Sequence, residues 1–498
     1  MKIKTKKGET IMHERYINEE IKYIWSDDSK LHSWLETELA VIVARENLGQ
    51  IPKDTANNII LDLKDNPICL EKWRELDSAL HHDLNAFIEE RRRFIRPELQ
   101  KYFHQGITSY DTEEPAFVRM LRGSAEMVVQ EAEYILDTLA YMSDYYRYTP
   151  MMARTHGQEA QLQSFGKRCL CWRADMELAC GQLDDAANNL RYSKLSGAVG
   201  NYGGLDSKAE RAALEILELD PFYGATQIMP RVMYQPVANA LCNLVCVCNK
   251  IALDIRLGAR SGRPLYHEPF GKQQMGSSAM PHKKNTILTE QMEGMARMAK
   301  GYLLMITSCI ETWEERAIEQ SCVERVAWPD LFHVAMRVLT VMNKVLSGLV
   351  VYPDNMMLEI IESCGCYASN AAKEFLKERA ARVGLSVEDC YRIVQLAAFN
   401  AQEPCFTAQY IREQPRNDWV TADQQLHELA KVEWRRRDSI ENIIAQARLK
   451  PSAQLEMSKE AVKSWNEVLR QLFDSETLVA WHKLFDIELL LQGEEALY

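Results

Sequence analysis

The chain has 498 residues, of which 47% are hydrophobic and 26% are charged, a composition typical of a soluble globular protein. Its net charge of −12 argues against nucleic acid as a partner, because no basic surplus is available to neutralise phosphates. An anionic small molecule needs only a local cluster of basic side chains. The length exceeds what one compact core usually holds, so we predict two or three domains.

Neither a targeting sequence nor a membrane span is predicted. The basic start, Met1 to Lys7, is not followed by an apolar stretch, so it does not resemble a secretory signal. The most apolar long segment, residues 237–248, is too short for a bilayer and is interrupted by Asn239 and Asn243. We therefore predict a cytoplasmic protein.

The 13 cysteines lack the spacing of a metal site. Three close pairs have a single residue between them: Cys169/Cys171, Cys246/Cys248 and Cys364/Cys366. Without C-x-x-C pairs and a matching histidine, these residues indicate small buried side chains kept reduced, and no metal is predicted.

Hydrophobic spacing is helical almost throughout. Ser29 is predicted to cap a helix whose apolar stripe runs from Leu31 to Ile42 and which stops at Gly49. A much longer helix is expected after Asp111-Thr112, with Pro115 in its first turn and its end before Pro150.

Further long helices are predicted after Pro236, after Asn285 and over residues 334–351. The helix after Pro236 is apolar on almost every face, so it should be covered on all sides, which favours several subunits packing together. No β-sheet is predicted. The pattern indicates an all-α fold with a long central helix bundle. The predicted domains are 1–111, which carries His82 and His104, then 112–363, and then 364–498 with shorter amphipathic helices.

Four loop segments carry unusual polar clusters. They are His81-His82-Asp83, His104 to Asp111, Arg154-Thr155-His156-Gly157-Gln158, and Lys272 to Asn285. Several of these residues have a simpler explanation than catalysis. Thr108, Ser109 and Asp111 could cap a helix, Gly276-Ser277-Ser278 could be a flexible linker, and Lys283-Lys284 could be a solvated charged patch. The fourth segment is the least easily explained in that way. Its Gly276-Ser277-Ser278 is followed by Met280-Pro281 and then by cations, which suits a lid that brings a hydroxyl and an ammonium to a substrate.

That fourth segment resembles the GSSxMPxKxN loop of the fumarase/aspartase superfamily, and its surroundings look most like the adenylosuccinate lyase branch. Other matching segments, spread over about residues 12 to 360, are Glu14-Arg15-Tyr16, His82-Asp83, His104-x-Gly-x-Thr108-Ser109, Arg154 to Gln158, Lys194 to Gly200, Gln227-x3-Arg231, and Arg316-x4-Ser321-x3-Arg325. This chain departs from the usual pattern at Thr286, Lys284, Gln291 and His81, and its residues 110–115 are bulkier and more acidic than is typical.

The resemblance implies a three-domain helical fold whose long helices assemble into a 20-helix core, with active sites shared among the subunits of a homotetramer. It implies β-elimination of fumarate from a succinyl nucleotide, with Ser277 as the base and His156 as the general acid. Lys283 would hold carboxylates, while His82 and Glu290 would assist. No metal or organic cofactor is implied.

The resemblance also implies a set of substrate contacts, with arginines suited to a phosphate. These residues are Arg15, Tyr16, His81, Asp83, His104, Thr108, Ser109, Gln158, Gln227, Ser278, Met280, Asn285, Arg316, Ser321 and Arg325. Two alternatives stay open: a sister lyase that acts on another succinyl amine such as argininosuccinate, and a non-catalytic helical scaffold on the same fold.

Overall fold

The computed structural model describes residues 12–363, 365–380, 386–388, 390–391, 394–395, 398, 480, 483–484 and 486–498. These residues are mostly helical, as predicted. They form two compact units, the first from 12–138, 173–257 and 268–349, and the second from the described residues of 139–172, 258–267 and 350–498. The three-domain division remains a prediction, and most of its third domain lies outside the described residues.

The first unit begins with five helices and a hydrophobic core. They are α1 (Glu19–Ile24), α2 (Asp27–Asn47), α3 (Thr55–Lys64), α4 (Leu70–Leu80) and α5 (Asp83–Arg92). The core includes the fully buried Leu31, Ile59 and Phe87. The predicted cap of α2 was wrong by three residues: Ser26, not Ser29, accepts the hydrogen bond from the backbone N–H of Ser29.

The long helices lie wholly or mostly in the first unit. They are α6 (Ser109–Tyr145), α7 (Phe165–Asn188), α9 (Gln235–Gly258), α10 (Ile287–Ser308) and α11 (Glu319–Ser347), with the shorter α8 (Ser207–Ile216) between them. The helix α6 starts before Asp111, so Pro115 lies in its second turn. The helix predicted over residues 334–351 is the last part of the 29-residue α11.

The segment expected to be too short for a membrane belongs to a longer helical stretch. Arg231–Gly258 has 28 residues and by length and composition alone could cross a bilayer, and 56% of its most apolar window is buried inside the protein. A core helix of a soluble protein passes the same test. Within the single chain one face of α9 remains exposed, including Asn243 and Leu253, so burial on all sides is not achieved here.

The prediction of no β-structure was wrong at three places, of which one is a full hairpin and two are two-residue pairs. In the second unit, β1 (Pro150–Thr155) and β2 (Gln158–Ser164) form an antiparallel hairpin, with Thr155 opposite Gln158. The two-residue turn, His156-Gly157, has positive φ at both positions, 55° and 76°, which is the turn that suits the twist of paired strands. Two short pairs complete the strands: β3 (Tyr192–Ser193) with β4 (Asp220–Pro221), and β5 (Tyr266–His267) with β6 (Val350–Val351).

The remaining described helices of the second unit are α12 (Pro353–Glu362), α13 (Ser369–Ala380) and α14 (Ile487–Gln492). A core of Met152, Ile360, Tyr367 and Leu376 joins the hairpin to α12 and α13. The hairpin is therefore fixed by packing at its base, while its turn is exposed.

Candidate active site

The first unit contains a cavity of about 620 Å³ between α2, α4, α5, α6 and α11. Seven of the residues predicted from the sequence line it: His81, His82, Asp83, Ser109, Arg316, Ser321 and Arg325. They come from three segments that are far apart in sequence, so the fold gathers them into one place.

The two histidines occupy the tight connection between α4 and α5. His81 ends α4 in the left-handed conformation, with φ 52°, and His82 caps α5. The Nδ1 atom of His82 accepts the backbone N–H of Asn85 at 3.3 Å. An accepting Nδ1 places the hydrogen of the neutral ring on Nε2, which makes that atom a donor.

Arg316 is held in place by two uncharged side chains, so its positive charge is not neutralised by them. Its Nη1 donates to Oε1 of Gln227 at 3.0 Å, and its guanidinium lies 4.0 Å from the ring centre of Tyr110. Among the described residues, no carboxylate lies within ion-pair distance of Arg316. Burial raises the pKa of Tyr110 to about 12, so its ring stays neutral. The geometry suits Arg316 for binding an anion.

Arg325 and Ser321 project from α11. Arg325 Nη2 lies 2.7 Å from Oδ2 of Asp83, and the Arg325 side chain is 60% exposed. The Ser321 hydroxyl donates to the carbonyl of Ile318 at 2.8 Å, which leaves its oxygen lone pairs free to accept. Arg325 therefore links α11 to the start of α5.

A buried charged cluster, which the sequence did not predict as such, forms part of the cavity wall. Arg231 Nη1 lies 2.6 Å from Glu114 Oε1, and Arg231 Nε lies 2.9 Å from Glu324 Oε1. Tyr234 donates to Glu114 Oε2 at 2.8 Å. Burial raises the pKa of Glu324 to about 7, against the opposing effect of Arg231. The cluster joins α6, α11 and the turn before α9.

Sequence reasoning also missed an aromatic part of the lining and one acidic residue. Lys30 Nζ lies 5.2 Å from the Trp34 ring centre and 5.0 Å from that of Trp73. Glu113 follows Ser109 by four residues on α6, so both lie on one helix face. Helical spacing from the Thr108-Ser109 motif was the signal that could have found Glu113.

The loop predicted as a lid lies in the first unit and is not part of the cavity lining. The Ser277 oxygen accepts the backbone N–H of Met280 at 3.1 Å and is 3.4 Å from that of Ala279. Ser278, Met280 and Lys283 are exposed, whereas Ser277 is half-buried. Of the two serines, Ser277 is thus the one whose oxygen already accepts backbone N–H groups.

The two ends of this loop are tied together. Asn285 Nδ2 donates to the carbonyl of Gly276 at 2.8 Å. A Cβ added to Gly276 would lie 2.0 Å from the Lys283 carbonyl oxygen, so only glycine fits there. Behind the loop, the buried Glu268 accepts the backbone N–H groups of Leu288 and Thr289, both at 3.0 Å, and so caps α10. Glu290 is exposed, with Arg256 4.0 Å away.

The predicted general acid lies in the second unit. His156 and Gln158 are exposed at the turn of the hairpin. Two residues before His156, Arg154 contacts Glu359 of α12 through its two terminal guanidinium nitrogens, Nη2 at 2.5 Å and Nη1 at 3.1 Å. The base of the turn is thus fixed by a forked ion pair.

The other predicted residues are not in the cavity lining. His104 Nδ1 lies 2.8 Å from Oε1 of the buried Glu38. The Thr108 N–H donates to Asp111 Oδ2 at 2.8 Å. Arg15 and Tyr16 lie in the 3₁₀ turn Glu14–Tyr16. His104 and Thr108 therefore make contacts that fix the start of α6. A direct role of these residues in substrate binding stays a prediction.

Comparison with known proteins decides the family. A family model described as "Lyase" matches residues 19–301. Adenylosuccinate lyase from Synechocystis sp. is 33% identical over 390 residues, 78% of this chain and 89% of that protein. Adenylosuccinate lyase from Thermotoga maritima is 32% identical over 426 residues, 85% of this chain and 96% of that protein. The chain belongs to the adenylosuccinate lyase family, within the fumarase/aspartase superfamily.

The fold agrees with the family. The crystal structure of a fumarate lyase from Mesorhizobium sp. superposes with a TM-score of 0.70 at 22% identity, over 87% of this chain and 99% of that one. The family-model match includes the Ser277 loop, the His156 hairpin and the His82 turn but ends before Arg316. As a member of the adenylosuccinate lyase family, this chain is a fumarate-releasing carbon–nitrogen lyase.

Proposed function

We propose that this protein cleaves adenylosuccinate to AMP and fumarate, and that it releases fumarate from succinyl-aminoimidazole-carboxamide ribotide in the same way, as a step of purine nucleotide synthesis. The observation that carries the proposal is the cavity in which His82, Ser109, Arg316 and Ser321 converge, in a chain about one third identical to adenylosuccinate lyases. Arg316 supplies the cation for the nucleotide phosphate, and Gln227 orients it.

The proposed base is Ser277. The reaction removes a C–H proton beside a carboxylate, which places a second negative charge on that carboxylate, so electrostatic stabilisation carries most of the catalysis. A serine hydroxyl becomes a base only if its alkoxide is stabilised. Two backbone N–H groups, those of Met280 and Ala279, point to the Ser277 oxygen. Lys283 adds a positive charge from the same loop and binds the succinyl carboxylates.

The proposed acid is His156, whose imidazolium gives a proton to the departing nitrogen. The hairpin turn presents it in an exposed position, and the Arg154–Glu359 pair fixes the turn. His82 and Glu290 are positioning residues in this scheme. The rest of the predicted set, including Thr108, Asn285, Arg15 and Tyr16, is proposed to bind carboxylates, base or phosphate.

We further propose a cytoplasmic homotetramer in which different subunits supply the parts of one site. This proposal is supported by the cavity lining, which includes neither Ser277 nor Lys283. It is also supported by the exposed face of α9, where Leu253 and Leu257 are about half exposed, at 48% and 47%. Exposed apolar side chains on a core helix are typical of a surface that another subunit covers.

One assay tests the proposed substrate. The purified protein is incubated separately with adenylosuccinate and with argininosuccinate, and fumarate release is followed by its ultraviolet absorbance. We expect release from adenylosuccinate only. Release from argininosuccinate alone would replace this proposal by the sister activity, and release from neither by the non-catalytic scaffold.

A further inference from the structure

Two acidic residues line the cavity without a hydrogen bond or ion pair at the carboxyl group among the described residues, Glu113 on α6 and Asp77 on α4. Glu113 lies in the second turn of α6 and its side chain is partly accessible. Its neighbour Glu114 is saturated by Arg231 and Tyr234. A carboxyl group that is directed to a cavity without a protein partner is available to a ligand.

Charges from three elements and one loop act on Glu113. Lys30 on α2, Arg316 before α11 and Arg325 on α11 favour its ionised form, while Asp83 on α5 opposes it. Burial is the largest effect, and together with Asp83 it raises the pKa of Glu113 to about 7. The carboxyl group is thus close to half ionised at neutral pH.

Several other titratable groups line the cavity, and any proton that they take up is common to the natural protein and to the Glu113 variants. Asp27 is paired with Lys30 at 3.4 Å. Glu324 is paired with Arg231 inside the wall. Asp77, His81 and His82 line the cavity as well, but none of them is a cause of the Glu113 shift.

A bound phosphate changes this balance. An anion beside Arg316 and Arg325 cancels the two cations that keep Glu113 ionised, and its own charge repels the carboxylate. We propose that Glu113 takes up one proton when a nucleotide phosphate binds beside Arg316 and Arg325, so that the affinity for the nucleotide falls as the pH rises above neutrality. The proton comes from solvent, and the resulting carboxylic acid can donate a hydrogen bond to a phosphate oxygen.

The inference rests on the proposed function only for the identity of the anion as a nucleotide phosphate. In this proposal Glu113 binds one more proton in the complex than in the free protein. As the pH rises from the free pKa to the bound pKa of such a group, the affinity falls by up to about tenfold per pH unit. The ligand phosphate also titrates, and its contribution is common to every variant. The difference between variants therefore isolates Glu113.

The experiment is isothermal titration calorimetry with AMP, and separately with inorganic phosphate, at pH 6.5, 7.5 and 8.5. It compares the natural protein with Glu113→Gln and with Glu113→Asp, which keeps a titratable group. Glu126→Gln is the matched control, because Glu126 is exposed on the same helix. Repeating each titration in buffers of different ionisation enthalpy measures proton uptake directly. Circular dichroism and sedimentation check that each variant remains folded and assembled.

We expect the natural protein and Glu126→Gln to take up more protons on binding AMP than Glu113→Gln does. Their affinity should fall more steeply with pH, so that Glu113→Gln binds AMP several-fold more tightly than the natural protein at pH 8.5. Glu113→Asp should keep part of the uptake. Equal proton uptake in the natural protein and in Glu113→Gln overturns the proposal, and so does failure of both AMP and phosphate to bind. Fumarate release from adenylosuccinate by the natural protein tests the proposed function separately.

Discussion

Arg154 and Glu359 form a forked ion pair at the base of the hairpin that carries His156. Arg154 Nη2 lies 2.5 Å from Glu359 Oε1, and Nη1 lies 3.1 Å from Oε2. Arg154 is in β1 and Glu359 is in α12, so the pair fixes the strand to a helix 205 residues away in sequence. Glu159, at 3.4 Å from the same guanidinium, adds a weaker contact. This pair holds the strand two residues before the exposed imidazole.

Replacing Glu359 tests whether the pair positions the acid. Glu359→Gln should lower kcat by about tenfold to a hundredfold, because a displacement of about 1 Å at a reacting group costs that much. KM should change much less, since no substrate contact is lost. The control is Glu374→Gln, an exposed carboxylate on α13 of the same unit. A proportional rise in KM with unchanged kcat would instead assign Glu359 to substrate binding.

Arg316 should control the affinity for the nucleotide. Arg316→Gln is expected to raise KM for adenylosuccinate about tenfold to a hundredfold, because a hydrogen bond to a charged group contributes about 1.5–3 kcal/mol. Arg316→Lys should recover only part of this, since an ammonium cannot form a fork while also stacking on Tyr110. Steady-state kinetics measure both, with Arg297→Gln, 77% exposed, as the control. An unchanged KM in Arg316→Gln would remove Arg316 from the phosphate site.

The Arg231 cluster should dominate local stability. Arg231→Met leaves Glu114 and Glu324 buried without their cation, which is expected to cost about 3–5 kcal/mol of unfolding free energy. Denaturant unfolding measures the loss, and Arg297→Gln again serves as the control. A loss below about 1 kcal/mol would mean that water reaches the two carboxylates. Because Tyr234 also bonds Glu114, Tyr234→Phe should cost less than Arg231→Met.

His333 should make the protein sensitive to acid. Its buried ring accepts the backbone N–H of Asn18 at 3.2 Å, and burial lowers its pKa to about 4. The unfolded chain, with a histidine pKa of about 6.5, binds the proton first as the pH falls. Stability is therefore full above about pH 6.5 and is lost between there and pH 4, by about 1–3 kcal/mol.

A His333→Asn variant measures that contribution. Its unfolding free energy should fall less than that of the natural protein between pH 7 and pH 4.5, although it starts lower because of lost packing. Thermal or denaturant unfolding at both pH values gives the comparison. Parallel pH curves for the two proteins would show that His333 is not the acid-sensitive group.

The sequence was sufficient to predict the parts of the site that are local motifs. The loop around Ser277 and the turn His81-His82-Asp83 each lie within a few residues, and their polar clusters interrupt helical spacing. The structure shows that Asn285 and Gly276 close the first of these loops, which is also a local contact. The helices α6, α9 and α10 begin within a few residues of their predicted starts, whereas α11 begins 15 residues before the segment predicted at 334–351.

Contacts between distant segments could not be predicted in that way. Arg231 meets Glu114 and Glu324 across 117 and 93 residues, so no spacing rule relates them. The hairpin was missed because its turn, His156-Gly157, lacks the usual Asn-Gly signal and its strands show little alternation. Sequence spacing distinguishes Glu113 only as one acidic residue among residues 110–115, because the cavity that gives it a role is formed by four other segments.

The most direct test of the central claim is the turnover of Ser277→Ala with adenylosuccinate, measured as fumarate release beside AMP binding to the same protein. If Ser277 is the base, turnover should fall by about a thousandfold or more while AMP still binds and the protein remains folded and assembled. Turnover within a few-fold of the natural protein would contradict the assignment of the base.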